Sequence, residues 1–239
     1  LLTRYLRINA GETVKHTFGA SGELWAVLSG SGSLRRGGET IEWAAGDLLA
    51  LPGGVATTWT SQGDSVLWVT TDEPALSFAR VRPELGCRAP IQSTHFRAMD
   101  IAEELKSLYR RKMEPSTPGR AIFMATAGTE TLGTCLPSLT LTLNAVRPGE
   151  FQRAHRHNAA AVVLVLRESK CGSTIGGQKF PWARYVTLLT PAGEPHDHRN
   201  ALEIDDDAIT DEDFALALIV QDGGLHYYTR TRGFAFEES

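Results

Sequence analysis

The second half of the chain repeats the first at an offset of 139 residues, the separation of His155 from His16. Gly176-Gly177 falls on Gly37-Gly38, Trp182 on Trp43, Pro191 on Pro52 and Gly193 on Gly54. A Gly-Gly turn, a Trp and a Pro-x-Gly at one offset mark two copies of one unit. Each copy spans about 80–100 residues, an ordinary domain size. Within the copies, short apolar runs alternate with turn residues. Runs at 2–9, 24–29, 48–51, 55–59 and 65–71 read as strands, and a hairpin turns at Gly37-Gly38. In the second copy, 121–125, 138–146, 161–166, 185–189, 214–220 and 225–230 read the same way. The pattern predicts an all-β chain of two tandem barrels or sandwiches.

Residues 72–120 differ. Pro74, Pro83, Pro90, Pro115 and Pro118 mark a connecting segment. The one helix signal lies at 100–111, where Asp100 and Glu103 have capping-box spacing and Ile101, Leu105 and Leu108 share a face. The predicted organisation is a first barrel at 1–79, a linker with a short helix at 80–120 and a second barrel at 121–239.

The copies diverge where side chains could do chemistry. His155 and His157 are two apart at the start of a strand-like run and so point to the same side. His196 lies 39 residues beyond His157 and joins them only if the intervening strands curl back. Three neutral imidazoles can hold a metal and leave positions open, as a catalytic site requires. Imidazole suits Fe, Zn, Cu and Ni alike. His198 follows in register and is expected to act beside the metal as a tunable acid or base. Arg153 shares parity with the histidines and is expected to line the mouth. The first copy keeps His16 but has Phe18, Thr57 and Trp59 in place of His157, His196 and His198. Glu23 adds at most a second ligand there, too few for a metal site.

Charge and composition exclude some classes. A net charge of −4 and a pI near 6.0 argue against a general nucleic-acid or anionic-membrane surface. No apolar run is long enough to span a bilayer. Cys87, Cys135 and Cys171 are scattered and odd in number, and read as free thiols in a reducing, cytoplasmic setting. The acidic stretch 203–213 lacks the Gly of a calcium loop and reads as a solvated loop. The chain opens on Leu1 rather than Met, so residues preceding it are expected.

Gly149-x5-His155-x-His157 and Pro191-x-Gly193-x-x-His196-x-x-x-Asn200 resemble the two motifs of the cupin superfamily, with Tyr185 where the second motif has Gly. The resemblance covers nearly the whole chain and implies two tandem cupin (double-stranded β-helix, jelly-roll) barrels. The Glu usual in the first motif is replaced by Ala161 and Val162, as in cupins of the gentisate 1,2-dioxygenase type, which hold Fe(II) with three histidines. Residues 139–150 and the His-Arg-His-Asn that follows are similar to the approach to that iron site. Arg120-Ala-Ile-Phe is similar to the arginine-bearing strand before it. One departure stands out: ring-cleaving members usually carry a carboxylate-binding Arg eight residues after the first ligand, and here that position is Val163.

The resemblance implies Fe(II) at His155, His157 and His196, with Zn, Ni, Mn or Cu as other candidates. It implies Arg120 as a substrate-binding residue, beside the catalytic His198 and the substrate-binding Arg153 expected from their register with the histidines. It further implies a small-molecule carboxylate substrate and a homo-oligomer, dimer or tetramer. The expected activity is a ring-cleaving dioxygenase acting on an aromatic or related hydroxy-acid. The alternatives are a non-catalytic metallo-cupin serving as sensor or carrier, and another cupin enzyme such as an isomerase or decarboxylase.

Overall fold

A computed structural model describes residues 1–114 and 117–237, together with the backbone of Cys87 but not its side chain. Pro115 of the connecting segment and the Cys87 thiol therefore lie outside the described residues. Among the described residues the chain is all-β apart from three helices and a few single 3-10 turns. It divides into two compact units, Leu1–Ala102 with Ala125–Leu139, and Glu103–Met124 with Thr140–Ser239. The junction is thus interleaved: Ala125–Leu139 belongs with the first unit, although the boundary predicted at 121 puts it at the opening of the second barrel.

The first unit holds β1 (Leu2–Ile8), β2 (Thr13–His16), β3 (Gly22–Ser29), β4 (Ser31–Arg36), β5 (Glu39–Ala44), β6 (Leu48–Pro52), β7 (Thr57–Ser61), β8 (Ser65–Thr71), α1 (Glu73–Ala79) and β9 (Thr94–Phe96). Their order is β1-β8-β3-β6-β9 in one sheet and β2-β7-β4-β5 in the other. Helix α2 (Ala98–Arg110) starts two residues before the capping-box signal, because the Asp47 carboxylate accepts the Ala98 N–H and serves the helix N-terminus.

The second unit holds β10 (Arg120–Met124), β11 (Thr140–Val146), β12 (Phe151–His157), β13 (Ala161–Arg167), β14 (Cys171–Ile175), β15 (Gln178–Pro181), β16 (Thr187–Thr190), β17 (His196–Asn200), β18 (Ala215–Gln221), α3 (Gly224–Thr229) and β19 (Phe234–Phe236). Its sheets run β10-β11-β18-β13-β16 and β15-β14-β17-β12-β19. Four strands of each sheet repeat the order of the first unit. Register repeats too: His16 lies opposite Thr57 in β2/β7, and His155 opposite His196 in β12/β17. The common offset ends at the acidic stretch, which lengthens the connection into β18.

Alternation sets the inner faces. In the first unit Trp25, Val27, Leu34, Trp43, Leu49, Leu51, Trp59, Leu67 and Val69 pack together. In the second, Val146, Ala161, Val163, Val165, Trp182, Ala217 and Ile219 do so. Burying such side chains contributes roughly 1.5–3 kcal/mol each. Tyr185 takes the left-handed conformation, φ 65°, where its counterpart Gly46 has φ 91°. The turn geometry of the family Gly is therefore kept by a residue that pays for it in backbone strain.

Three elements depart from expectation, the first being α1, which forms where no helix signal is read. Residues 225–230 form helix α3 rather than a strand, closed by Arg230 in the left-handed region. Tyr-Tyr-Thr favours strands, but this segment is largely exposed and has no partner strand to override local winding. The closing strand is instead β19, ten residues further on.

Candidate metal centre

His155 and His157 project from β12, and His196 from β17. One ligand atom from each lies within 4.8 Å of the others, and among the described residues no other His, Cys, Asp or Glu group comes together in this way. The His155 and His196 rings are 4.3 Å apart and those of His157 and His196 4.8 Å. Each Nδ1 faces a backbone carbonyl: His155 to Arg153 O at 2.9 Å, His157 to Ala159 O at 2.7 Å, His196 to Glu194 O at 3.0 Å. A carbonyl accepts only, so each Nδ1 carries the proton and donates it. All three Nε2 atoms are left as acceptors, the arrangement that metal-binding imidazoles need. Consistently, the Gln221 amide lies 3.2 Å from His157 Nε2, positioned to donate to it.

Burial keeps the rings neutral. Desolvation lowers the pKa of His155 and of His157, and takes His196 down to about 4. Neutral, tautomer-fixed imidazoles fit a divalent transition metal without first shedding protons.

His198 is buried beside His196, its ring 5.9 Å away. Its Nδ1 meets Ser173 Oγ at 2.8 Å, and Trp182 Nε1–H donates to the same Oγ at 2.8 Å. Burial pushes its pKa to about 3, with the neighbouring histidines contributing. Burial thus favours the neutral imidazole at His198, whereas the sequence leads to the expectation of an acid or base working near neutrality. Asn200, next in register, donates to Val146 O.

Neither arginine reaches the triad as expected. A bulge in β12 between Gln152 and His155 breaks the period of two. Gln152 and His155 are both buried, whereas Arg153 is exposed and lies over the Phe236 ring at 4.8 Å. Arg120 is buried in an ion pair with Glu150 and donates to Arg111 O. Both line a cleft of about 1080 Å³ that is lined by none of the three histidines. At Val163 the structure has a core side chain packed in the barrel interior.

The first unit lacks the constellation. His16 Nε2 lies 3.0 Å from Glu23, which also accepts the Trp25 N–H at 2.8 Å. Phe18 packs on His16 at 4.2 Å, and Arg36, in register with Thr57, is buried nearby. Sequence reasoning missed Ser173, Trp182, Gln221 and the β19 phenylalanines. Only the pairing of β14 with β17 and of β19 with β12, and the side-chain hydrogen bonds of Trp182 and Gln221, identify them.

No protein-family profile matches the chain. It is 32% identical over 149 residues to a 5-aminosalicylate 1,2-dioxygenase of Comamonas sp, covering 61% of this chain and 35% of that protein. It is 33% identical over 61 residues to a gentisate 1,2-dioxygenase of Ralstonia sp, covering 26% of this chain and 17% of that protein. The matches thus span about a third or less of these relatives. In three dimensions the chain is similar to a salicylate 1,2-dioxygenase from Pseudaminobacter salicylatoxidans, with TM-score 0.79, 13% identity, and 98% and 74% of the two chains covered. A cupin 2 conserved barrel domain protein from Leptotrichia buccalis gives TM-score 0.57 at 13% identity, covering 91% and 81%. At such identities the structural likeness speaks for fold alone. The chain has the fold of two cupin barrels and resembles, in sequence and in fold, dioxygenases of the gentisate 1,2-dioxygenase type.

Proposed function

We propose that the second barrel is a mononuclear non-haem metal centre, and that the chain is a ring-cleaving dioxygenase acting on an aromatic hydroxy-acid. The observation that carries this reading is the convergence of three histidines whose Nδ1 protons are all tied to backbone carbonyls. His155, His157 and His196 would hold Fe(II), with Zn, Ni, Mn or Cu as competing occupants of an all-imidazole site. A metal there supplies Lewis acidity and open positions for substrate oxygens and dioxygen.

The chain's own residues shape the rest. The backbone carbonyls fix the ring planes before substrate arrives, so little reorganisation accompanies binding. His198, held by Ser173, offers a neutral imidazole beside the centre and braces His196. Gln221 offers an amide that can turn from His157 to a ligand oxygen. Val146, Val163 and Ile219 keep the interior apolar and exclude water. With Arg120 committed to Glu150 and Arg153 on the outer side, no arginine clamp is assigned to the substrate carboxylate. The carboxylate would rely on the metal and on Gln221.

Anaerobic reconstitution with Fe(II), followed by oxygen uptake over a panel of hydroxybenzoates including gentisate, salicylate and 5-aminosalicylate, tests the reading. Uptake with ring-opened product is expected. Iron bound without uptake on any member would overturn it in favour of a non-catalytic metallo-cupin.

A further inference from the structure

Strand β19 has no counterpart in the first unit, whose β2 carries no strand on the equivalent edge among the described residues. The addition occurs only in the barrel that holds the triad. It pairs with β12 so that Phe236 lies opposite His155, and Phe234 opposite His157. Residues paired across an antiparallel ladder point to the same side. Both phenyl rings therefore join the histidine face, and Phe236, His155, His196 and Ile175 form one row across four strands.

The rings are in contact. Phe234 lies 5.2 Å from His155 at 30°, close to stacked, and meets Phe236 edge-on at 5.1 Å. Yet Phe234 is 46% exposed, a large apolar face left open directly beside a cluster of polar rings. Its strand is tied down on both sides. The Asn158 side chain accepts the Gly233 N–H at 3.0 Å and donates to Thr231 O at 3.0 Å. Glu237 N–H donates to Ala154 O at 2.9 Å, and its carboxylate pairs with Arg156 at 3.0 Å. A half-exposed phenyl fixed at both ends of its strand is a pre-organised surface rather than a fraying terminus.

We propose that β19 is the aromatic wall of the metal-facing mouth, and that Phe234 is a specificity-determining residue selecting ligands with a flat aromatic ring. The proposal rests on the second barrel holding a metal, as argued above. A planar ring bound at the centre buries the open face of Phe234, while an aliphatic hydroxy-acid with the same chelating oxygens does not. Selection by ring stacking also suits an interior that has Val163 in place of a cation, because discrimination then comes from the ring rather than from the carboxylate.

The test uses the full chain loaded with Zn(II), which has no redox chemistry. Binding of salicylate and of lactate is measured by calorimetry for the wild type, Phe234→Ala and Phe234→Leu, with bound zinc counted in each. A stacking contact of ordinary strength predicts about a tenfold weaker salicylate dissociation constant in Phe234→Ala. Lactate should change less than about twofold, zinc content should stay unchanged, and Phe234→Leu should fall between. Equal weakening of both ligands, or unchanged salicylate affinity with zinc retained, overturns the role of Phe234 and leaves the metal centre standing. A wild type that takes up no zinc overturns the centre itself, and the proposal with it.

Discussion

Ser173 illustrates how much of the histidine cluster depends on residues one layer behind it. Its Oγ receives the Trp182 N–H and meets His198 Nδ1. All three groups are buried. Ser173→Ala strips two buried polar atoms of their partner at once, and should destabilise the chain by about 1–3 kcal/mol, read as a lower denaturant midpoint with an unchanged slope. His198 adds a pH dependence. In the fold its pKa lies near 3 and that of His196 near 4. In the unfolded chain an ordinary histidine titrates near 6.5. Between those limits the unfolded chain takes up protons that the fold refuses. Each such proton costs roughly 1.4 kcal/mol of stability per pH unit. The metal-free protein should therefore melt at nearly the same temperature at pH 8 and 7, and at progressively lower temperature from about pH 6.5 downward. His198→Gln should flatten that acid slope; an unchanged slope would show that His198 is not the group refusing the proton.

At the scale of the element, β12 decides which side chains meet. Counting by twos puts Arg153 with His155, but the bulge inserts an extra residue and turns Arg153 outward. A bulge has no signature in this stretch of sequence, because no Gly marks it. The same count succeeds on β17, where His196, His198 and Asn200 are all buried on one face. Arg153→Ala should accordingly leave metal content within about twofold of wild type, because its guanidinium packs on Phe236 and not on the histidines. Arg120 behaves differently. Its partner Glu150 also accepts the Arg147 N–H and is only 17% exposed. Arg120→Ala leaves that carboxylate short of its cation and should cost about 3 kcal/mol, seen in melting rather than in substrate affinity. A large loss of salicylate affinity in a stably folded Arg120→Ala protein would instead restore it as a substrate-binding residue.

For the whole molecule, the repeat made the two-barrel fold legible, because Gly-Gly turns and alternating strands are local signals that survive divergence. The triad was legible for the same reason: His155 and His157 lie on one strand, and the second motif fixes His196. What could not be read was anything set by pairing between distant strands: Gln221 on β18, Ser173 on β14, and the edge strand β19, whose Phe-Ala-Phe is too short to signal itself. The asymmetry of the copies yields a final prediction. In the first unit, Phe18 packs on His16, Thr57 takes the place of His196, and one oxygen of the Glu23 carboxylate is shared by His16 and Trp25. Two donors already bonded to each other do not make a site, whereas three Nε2 lone pairs held apart by backbone carbonyls do. Titration with Zn(II) should therefore saturate at one equivalent per chain. His196→Ala should abolish that uptake, because two imidazoles hold the ion far more weakly than three. His16→Ala should leave the stoichiometry at one. A second equivalent in the wild type, lost in His16→Ala, would mean that the first barrel has kept a centre of its own.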